Sequence, residues 1–331
     1  MPASKTGITF QNTIVPNVAN RYNLIAYTYF YNGGGVALDD FNQDGKLDVF
    51  LTGNQVNNRL YLNKGDWTFE DVSQKAGITG GKWSTGTTVA DVNADGLPDI
   101  YVCNAGPLDE NERIANQLYI NNGDGTFAEK AKEYGVAGNE FSTQASFFDY
   151  DQDGDLDLIV MNHAFFWRIP ASAVQARLKK DKNMLKRISP NLYRNDGNGT
   201  FSNVTVDAGL LNYSYGLGLV TADINNDGWT DFYVANDFDV PDFMYINNQD
   251  GTFSDKIKEY TNQISWFGMG CDIADINNDA LLDISVVDMT AADHIRSKTL
   301  MASMDSKQFW EMANERNYQY QYMFNTFQLN N

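Results

Sequence analysis

The chain has 331 residues, 43% of them hydrophobic, with 27 Gly and a formal net charge of −19. That charge excludes a nucleic-acid binder, whose phosphate contacts need clustered Lys and Arg. No apolar run reaches the roughly 18 residues of a membrane helix, and the opening "MPASKTGITF" lacks the apolar core of a secretory signal, so the chain is either not exported or not the whole precursor.

An aromatic group comes first: Tyr22, Tyr27, Tyr29, Phe30 and Tyr31. Packing is the plainer reading, and a stacking platform for sugar rings or a protein partner the sharper one. Next come five near-repeats, "DFNQDGKLD" at 40, "DVNADGLPD" at 91, "DYDQDGDLD" at 149, "DINNDGWTD" at 223 and "DINNDALLD" at 275. Their first residues are 51, 58, 74 and 52 apart, the length of a four-stranded propeller blade. Apolar or alternating flanks such as "VFLTGN" and "LIVMN" read as strands, so each loop joins two antiparallel strands. Gly35, Gly86, Gly218 and Gly270, with Gln144 in the third repeat, stand five residues before the loops. Gly at such strand positions predicts close backbone approach.

A hairpin motif follows four of the loops: "NRLYLNKGDWTF", "NQLYINNGDGTF", "NLYRNDGNGTF" and "FMYINNQDGTF". Its Asn and Gly suit tight turns. The pattern predicts an all-β propeller of about five blades plus partial ones, in one domain spanning 1–331. Two stretches break it. "PASAVQARLKKDKNMLKRISP" predicts a helical insertion over about 168–189, read as a solvated basic face or a dock for an acidic partner. A helical segment is expected over about 293–322, with Leu300, Met304, Phe309, Trp310 and Met312 as its apolar residues. The closing "NTFQLNN" is in phase with "NQLYINN" at 116 and reads as the start of a sixth blade, and hence as a fragment of a longer chain.

Closely spaced carboxylates with Asn and backbone carbonyls form a calcium shell, and repelling like charges need a counter-cation. Positions 1, 3, 5, 7 (through its carbonyl) and 9 are the candidate ligands. They are Asp40, Asn42, Asp44, Lys46 and Asp48; Asp91, Asn93, Asp95, Leu97 and Asp99; Asp149, Asp151, Asp153, Asp155 and Asp157; Asp223, Asn225, Asp227, Trp229 and Asp231; and Asp275, Asn277, Asp279, Leu281 and Asp283. About five Ca2+ sites are expected. The one at 275–283 should be the weakest, because Ala280 replaces the turn Gly. An EF-hand is excluded: position 12 is Leu51, Val102, Val160, Val234 or Val286, never acidic.

The loops and hairpins resemble the FG-GAP or VCBS repeats of integrin-α-type propellers. "YFYNGGGVALDDFNQDGKLDVFLTGN" and "NDFDVPDFMYINNQDGTF" are similar to the cartilage-acidic-protein (ASPIC/UnbV) group, in particular its bacterial surface members. The resemblance covers essentially the whole chain. It implies a propeller of about seven blades on an exported protein, at the cell exterior or outer-membrane surface, followed by a C-terminal domain that this sequence lacks.

No catalytic residue is nominated. With only His163 and His294, a Ser-His-Asp set or a His/Cys zinc site is improbable, and His163 reads as a packed or hydrogen-bonded turn residue. Phe165, Phe166 and Trp167 read like the first aromatic group, and Cys103 and Cys271 as two free thiols. The favoured function is a non-enzymatic surface propeller that binds a glycan or protein, its calcium structural. The alternative is a calcium-dependent polysaccharide lyase or hydrolase acting at the propeller axis.

Overall fold

The computed structural model describes residues 2–20, 22–78, 83–106, 115–165, 171–178, 180–238, 240–291, 293, 295–296 and 309–330. They fall into two compact units, Met1–Phe147, Asp155–Ile169 and Leu192–Asn203 in one, and Phe148–Gly154, Pro170–Asn191 and Val204–Asn331 in the other.

The first unit carries three four-stranded antiparallel sheets. Strands β1 (Val36–Asp39), β2 (Asp48–Leu51), β3 (Arg59–Gly65) and β4 (Thr68–Asp71) lie in that order. So do β5 (Ser84–Ala90), β6 (Asp99–Asn104), β7 (Gln117–Asn121) and β8 (Phe127–Glu129). The third sheet is β9 (Ser142–Phe148), β10 (Asp157–Asn162), β11 (Asn191–Asn195) and β12 (Phe201–Asn203). Each acidic loop links the first two strands of its sheet, as expected of a blade.

Close backbone approach is visible at Gly35, Gly86 and Gly218, whereas a Cβ on Gly270 would meet only the Val287 side chain, at 3.6 Å. A Cβ on Gly35 would lie 2.9 Å from the Thr85 carbonyl oxygen, and one on Gly86 2.4 Å from that of Thr143. First strands of successive sheets therefore meet backbone to backbone. The apolar faces fill the space beyond: Phe41, Phe50, Leu60, Ile100, Tyr119 and Phe127 form one buried cluster, and Tyr101, Leu118, Leu158, Val160, Tyr193 and Phe201 belong to the next.

The second unit repeats the scheme with β13 (Gly216–Ala222), β14 (Asp231–Asn236), β15 (Phe243–Asn247) and β16 (Phe253–Asp255). A short β17 (Ile264–Ser265) precedes β18 (Gly268–Ala274) and β19 (Asp283–Asp288). Here a Cβ on Gly218 would lie 2.8 Å from the Cys271 nitrogen. Within 168–189 stand two helices, Ala171–Leu178 and Lys182–Ile188, the second capped by Asp181, whose carboxylate accepts the Met184 N–H at 3.0 Å.

Two expectations for the C-terminal region are corrected. The described part of 293–322 is not one long helix: it holds a π-helical stretch, Glu311–Glu315, then β20 (Gln321–Tyr322), which pairs parallel with β17. Phe309 and Met312 pack on Trp266, while Leu300 and Met304 lie outside the described residues. Nor does "NTFQLNN" begin a sixth blade. Its strand β21 (Thr326–Gln328) pairs with β19, Val286 opposite Thr326 and Ile284 opposite Gln328, which makes it the third strand of the fifth sheet. The long excursion between β19 and β21 hid this phase.

Candidate metal centre

Each nine-residue loop is wound by two left-handed residues. Position 6 has φ of +83° at Gly45 and Gly96, +93° at Gly154 and +88° at Gly228, and Ala280 is held at +69°. Position 4 is also left-handed, at Gln43, Ala94, Gln152, Asn226 and Asn278, a feature the sequence reading missed. This winding turns loop amides inward. In four loops the position-1 carboxylate spans two of them, as where Asp91 accepts the N–H of Asp95 at 3.1 Å and of Gly96 at 2.7 Å. The same pair recurs at Asp40, Asp223 and Asp275.

The loop at 149 differs. Ligand atoms of Asp149, Asp151 and Asp153 lie within 4.8 Å of one another, the one such acidic group among the described residues. Asp149 accepts the Gly154 N–H at 3.1 Å through Oδ2, while its Oδ1 is buried with no hydrogen bond. A buried carboxylate oxygen without a donor is costly, and three converging carboxylates are hard oxygen donors suited to a divalent cation. The donor set fits calcium. The other loops have Asn at position 3, which draws toward position 5: Asn93 Nδ2 lies 2.9 Å from Asp95 Oδ2 and Asn277 Nδ2 2.8 Å from Asp279 Oδ2. In the first loop Lys46 does more than offer a carbonyl. Its Nζ lies 3.0 Å from Asp44 Oδ2 and holds that carboxyl below its usual range.

Position 9 has a role that no spacing rule announced. Asp48, Asp99, Asp157, Asp231 and Asp283 are all fully buried. Their Oδ1 atoms accept the backbone N–H of Asn63, Asn121, Asn195, Asn247 and Asn330, at 2.7 to 3.0 Å. In four loops Oδ2 accepts the N–H of position 2, as from Val92 to Asp99 at 3.1 Å. Burial pushes the Asp99 and Asp231 carboxyls up to about 6, against the pull of these amides. This aspartate bolts its loop to the third strand of the same sheet. The repeated Asn of the hairpin motif was the available signal.

Neighbouring loops also touch. Gln43 Nε2 donates to the Gly96 carbonyl at 2.8 Å, and Gln152 Nε2 to that of Gly228 at 2.7 Å.

Of the other candidates, three aromatics and His163 pack in the interior, whereas Tyr31 is 61% exposed. Tyr27, Tyr29 and Phe30 are buried, with Tyr27 and Phe30 packed on Trp83. His163 is buried beneath them: its Nδ1 faces the Ala164 carbonyl at 2.8 Å and so carries the proton, leaving Nε2 to accept from Tyr27 Oη at 3.1 Å. Phe165 packs on Phe141, whereas Phe166, Trp167 and His294 lie outside the described residues. Cys103 and Cys271 are free thiols. Among the described residues no helix is long and apolar enough to cross a membrane.

Four-stranded sheets, each opened by an acidic loop and joined through their first strands, define a propeller-blade repeat protein. Residues 40–102, 106–160, 186–234 and 223–286 match the FG-GAP-like repeat model, together more than half of the chain, and the chain belongs to that family. It is similar to cartilage acidic protein 1 of Xenopus tropicalis, 27% identical over 203 residues, a match spanning 58% of this chain and 29% of that relative. Among solved structures it is similar to an Agrocybe aegerita lectin studied for recognition of non-reducing terminal N-acetylglucosamine, with TM-score 0.44, 20% identity, and 76% of this chain and 60% of that one covered. The V. cholerae biofilm matrix protein Bap1 aligns with TM-score 0.42 and 14% identity, over 78% of this chain and 35% of that one.

Proposed function

We propose that the protein is a calcium-binding FG-GAP repeat protein of the cell exterior or outer-membrane surface that binds a glycan or protein partner, with calcium stabilising the fold rather than taking part in a reaction. The carrying observation is the convergence of Asp149, Asp151 and Asp153 around the buried Asp149 Oδ1. The family membership and the five equivalent loops support extending the assignment to the other four sites. The loop at 275 is the weakest of them because Ala280 is held at a φ that costs an L-residue energy. At millimolar calcium and dissociation constants of about 10 to 100 μM, each site adds about 1.4 to 2.7 kcal/mol to the folded state. Melting the protein in calcium and in EGTA tests this: the midpoint falls by many degrees in EGTA, and an unchanged midpoint sinks the reading. A polysaccharide and protein array, read for both binding and product release, tests the recognition role. Turnover would point instead to the lyase or hydrolase alternative.

A further inference from the structure

We propose that a cleft beside the fourth sheet, walled on one side by the excursion between β19 and β21, binds a neutral pyranose ring of a glycan. The proposal rests on the recognition role put forward above and deepens it, giving that role a ligand class and a place.

The excursion inverts the usual polar-out pattern of a surface strand. From Tyr318 to Tyr322 tyrosine and glutamine alternate, and the glutamines face inward. Gln319 and Gln321 are buried, the first donating through Nε2 to the Thr261 carbonyl and the second to the Val240 carbonyl at 2.9 Å. Aromatic rings are left at the surface instead. Trp310 is 53% exposed and Tyr320 44%, and both rest on the buried Phe309 ring, at 5.1 and 5.9 Å. Adjacent exposed rings mark recognition surfaces, and Tyr and Trp suit a ligand that, like them, is apolar on one side and wet on the other.

The same stretch lines a cavity of about 360 Å3, within the range of small-ligand pockets. Its walls include Asn212, Tyr213, Asp255, Lys258, Arg316 and Tyr318. The polar groups are fixed by protein contacts that leave part of each one unused. Asp255 Oδ1 accepts the Met244 and Ile257 N–H groups, each at 3.2 Å, which leaves Oδ2 for a ligand. Arg316 holds Glu311 at 2.7 Å through one nitrogen, and Lys258 Nζ donates to the Asn317 carbonyl at 3.2 Å and to its Oδ1 at 2.7 Å. Asn212 Nδ2 donates to the Tyr245 hydroxyl at 3.2 Å and has a second hydrogen to offer. Glu311 opens a π-helical turn, a distortion frequent at functional sites. Groups ordered before binding lose little entropy when a ligand arrives.

The mixture points to the ligand. Acceptors at Asp255 and donors at Lys258, Arg316 and Asn212 stand beside tyrosine rings, and a sugar ring has hydroxyls that both donate and accept and a C–H face that packs on an aromatic ring. Charge disfavours an acidic sugar: Lys256, Lys258 and Arg316 are nearly cancelled by Asp255 and Glu259 within the same walls, in a chain of net charge −19. A cavity of about 150 Å3 is enough for benzene, so this one accommodates a pyranose with its hydroxyls. A concave site of that size suits a ring better than the flat patch of about 800 Å2 that a standard protein interface needs on each side.

The test titrates the 331-residue chain, in calcium, with fluorescein-labelled oligosaccharides of glucose, galactose, mannose and N-acetylglucosamine, and with an oligogalacturonate as the acidic counterpart, followed by anisotropy. Saturable binding of at least one neutral oligosaccharide is expected, with the oligogalacturonate at least tenfold weaker. Asp255→Asn, which keeps Oδ1 as the acceptor of its two amides, and Lys258→Trp, which fills the cavity from an exposed position, should each weaken that binding at least tenfold. Circular dichroism and melting establish that the variants fold, and if one does not the other decides. Neutral binding that the folded variants leave intact overturns the site while the recognition role stands. Preference for the oligogalacturonate overturns the ligand class. A protein partner found on an array that binds no oligosaccharide overturns the proposal but keeps the recognition role, and binding of neither kind overturns both.

Discussion

Asn121 ties two sheets together through one residue: its backbone N–H donates to Asp99 Oδ1 at 2.8 Å, and its side-chain Nδ2 to the Phe41 carbonyl at 3.0 Å. Asn121→Ala leaves that buried carbonyl without a donor and should cost about 1 to 3 kcal/mol, read by urea or thermal unfolding. Asn247→Ala, which removes the 2.8 Å bond to the Tyr150 carbonyl, should cost as much. Asn63, whose Nδ2 reaches only the exposed Leu47 carbonyl of its own loop, should cost less than about 1 kcal/mol. Equal losses at all three positions would refute the side-chain tie between neighbouring sheets.

Two glycines of the second blade should respond unequally to Ala. Gly86→Ala puts a methyl 2.4 Å from the Thr143 carbonyl oxygen, so a backbone must move, and a loss near the upper end of overpacking costs, about 3 kcal/mol, is expected. Gly96 has open space around its missing Cβ and φ of +83°, so Gly96→Ala carries only the left-handed penalty of about 1 kcal/mol. Melting both variants side by side checks the ranking.

Ala280→Gly relieves the same penalty in the opposite direction. With φ at +69° in the fifth loop, the substitution should stabilise the protein by somewhat under 1 kcal/mol, since Gly also loses more chain entropy on folding. A lower melting temperature would show that the conformation carries no strain.

Asp242 gives a pH dependence of defined sign. It is fully buried, accepts the Tyr233 hydroxyl at 2.6 Å and the Asn236 N–H at 2.8 Å, and burial pushes its carboxyl up to about 7. Between roughly pH 4 and 7 the folded state then holds a proton that the unfolded chain has lost, so this group makes stability fall as pH rises, by up to about 1.4 kcal/mol per unit. The first two sheets place Asn58 and Asn116 where the fourth places Asp242, each accepting a strand-end N–H. Asp242→Asn should therefore raise stability at pH 8 and flatten the profile between pH 4 and 7. An unchanged slope in denaturant titrations would count against it.

The repeat was legible because each loop and each hairpin is local: Asp and Gly spacing encodes a turn, and alternating flanks encode the strands beside it. The position-9 aspartates were read only as ligands, because their amide partners lie in another strand, 38 residues away for Asp157 and Asn195. The phase of "NTFQLNN" was misread for a related reason: β21 pairs with β19 across a long excursion, and ladder hydrogen bonding, not distance along the chain, sets that order. The sequence by itself determined five acidic loops, antiparallel sheets of blade type and the glycines where backbones meet, since those follow from side-chain size, charge and period. Only the tertiary structure decided which carboxylates converge and which ones bolt strands. Each of those depends on groups far apart in the chain being brought within a few ångströms by packing.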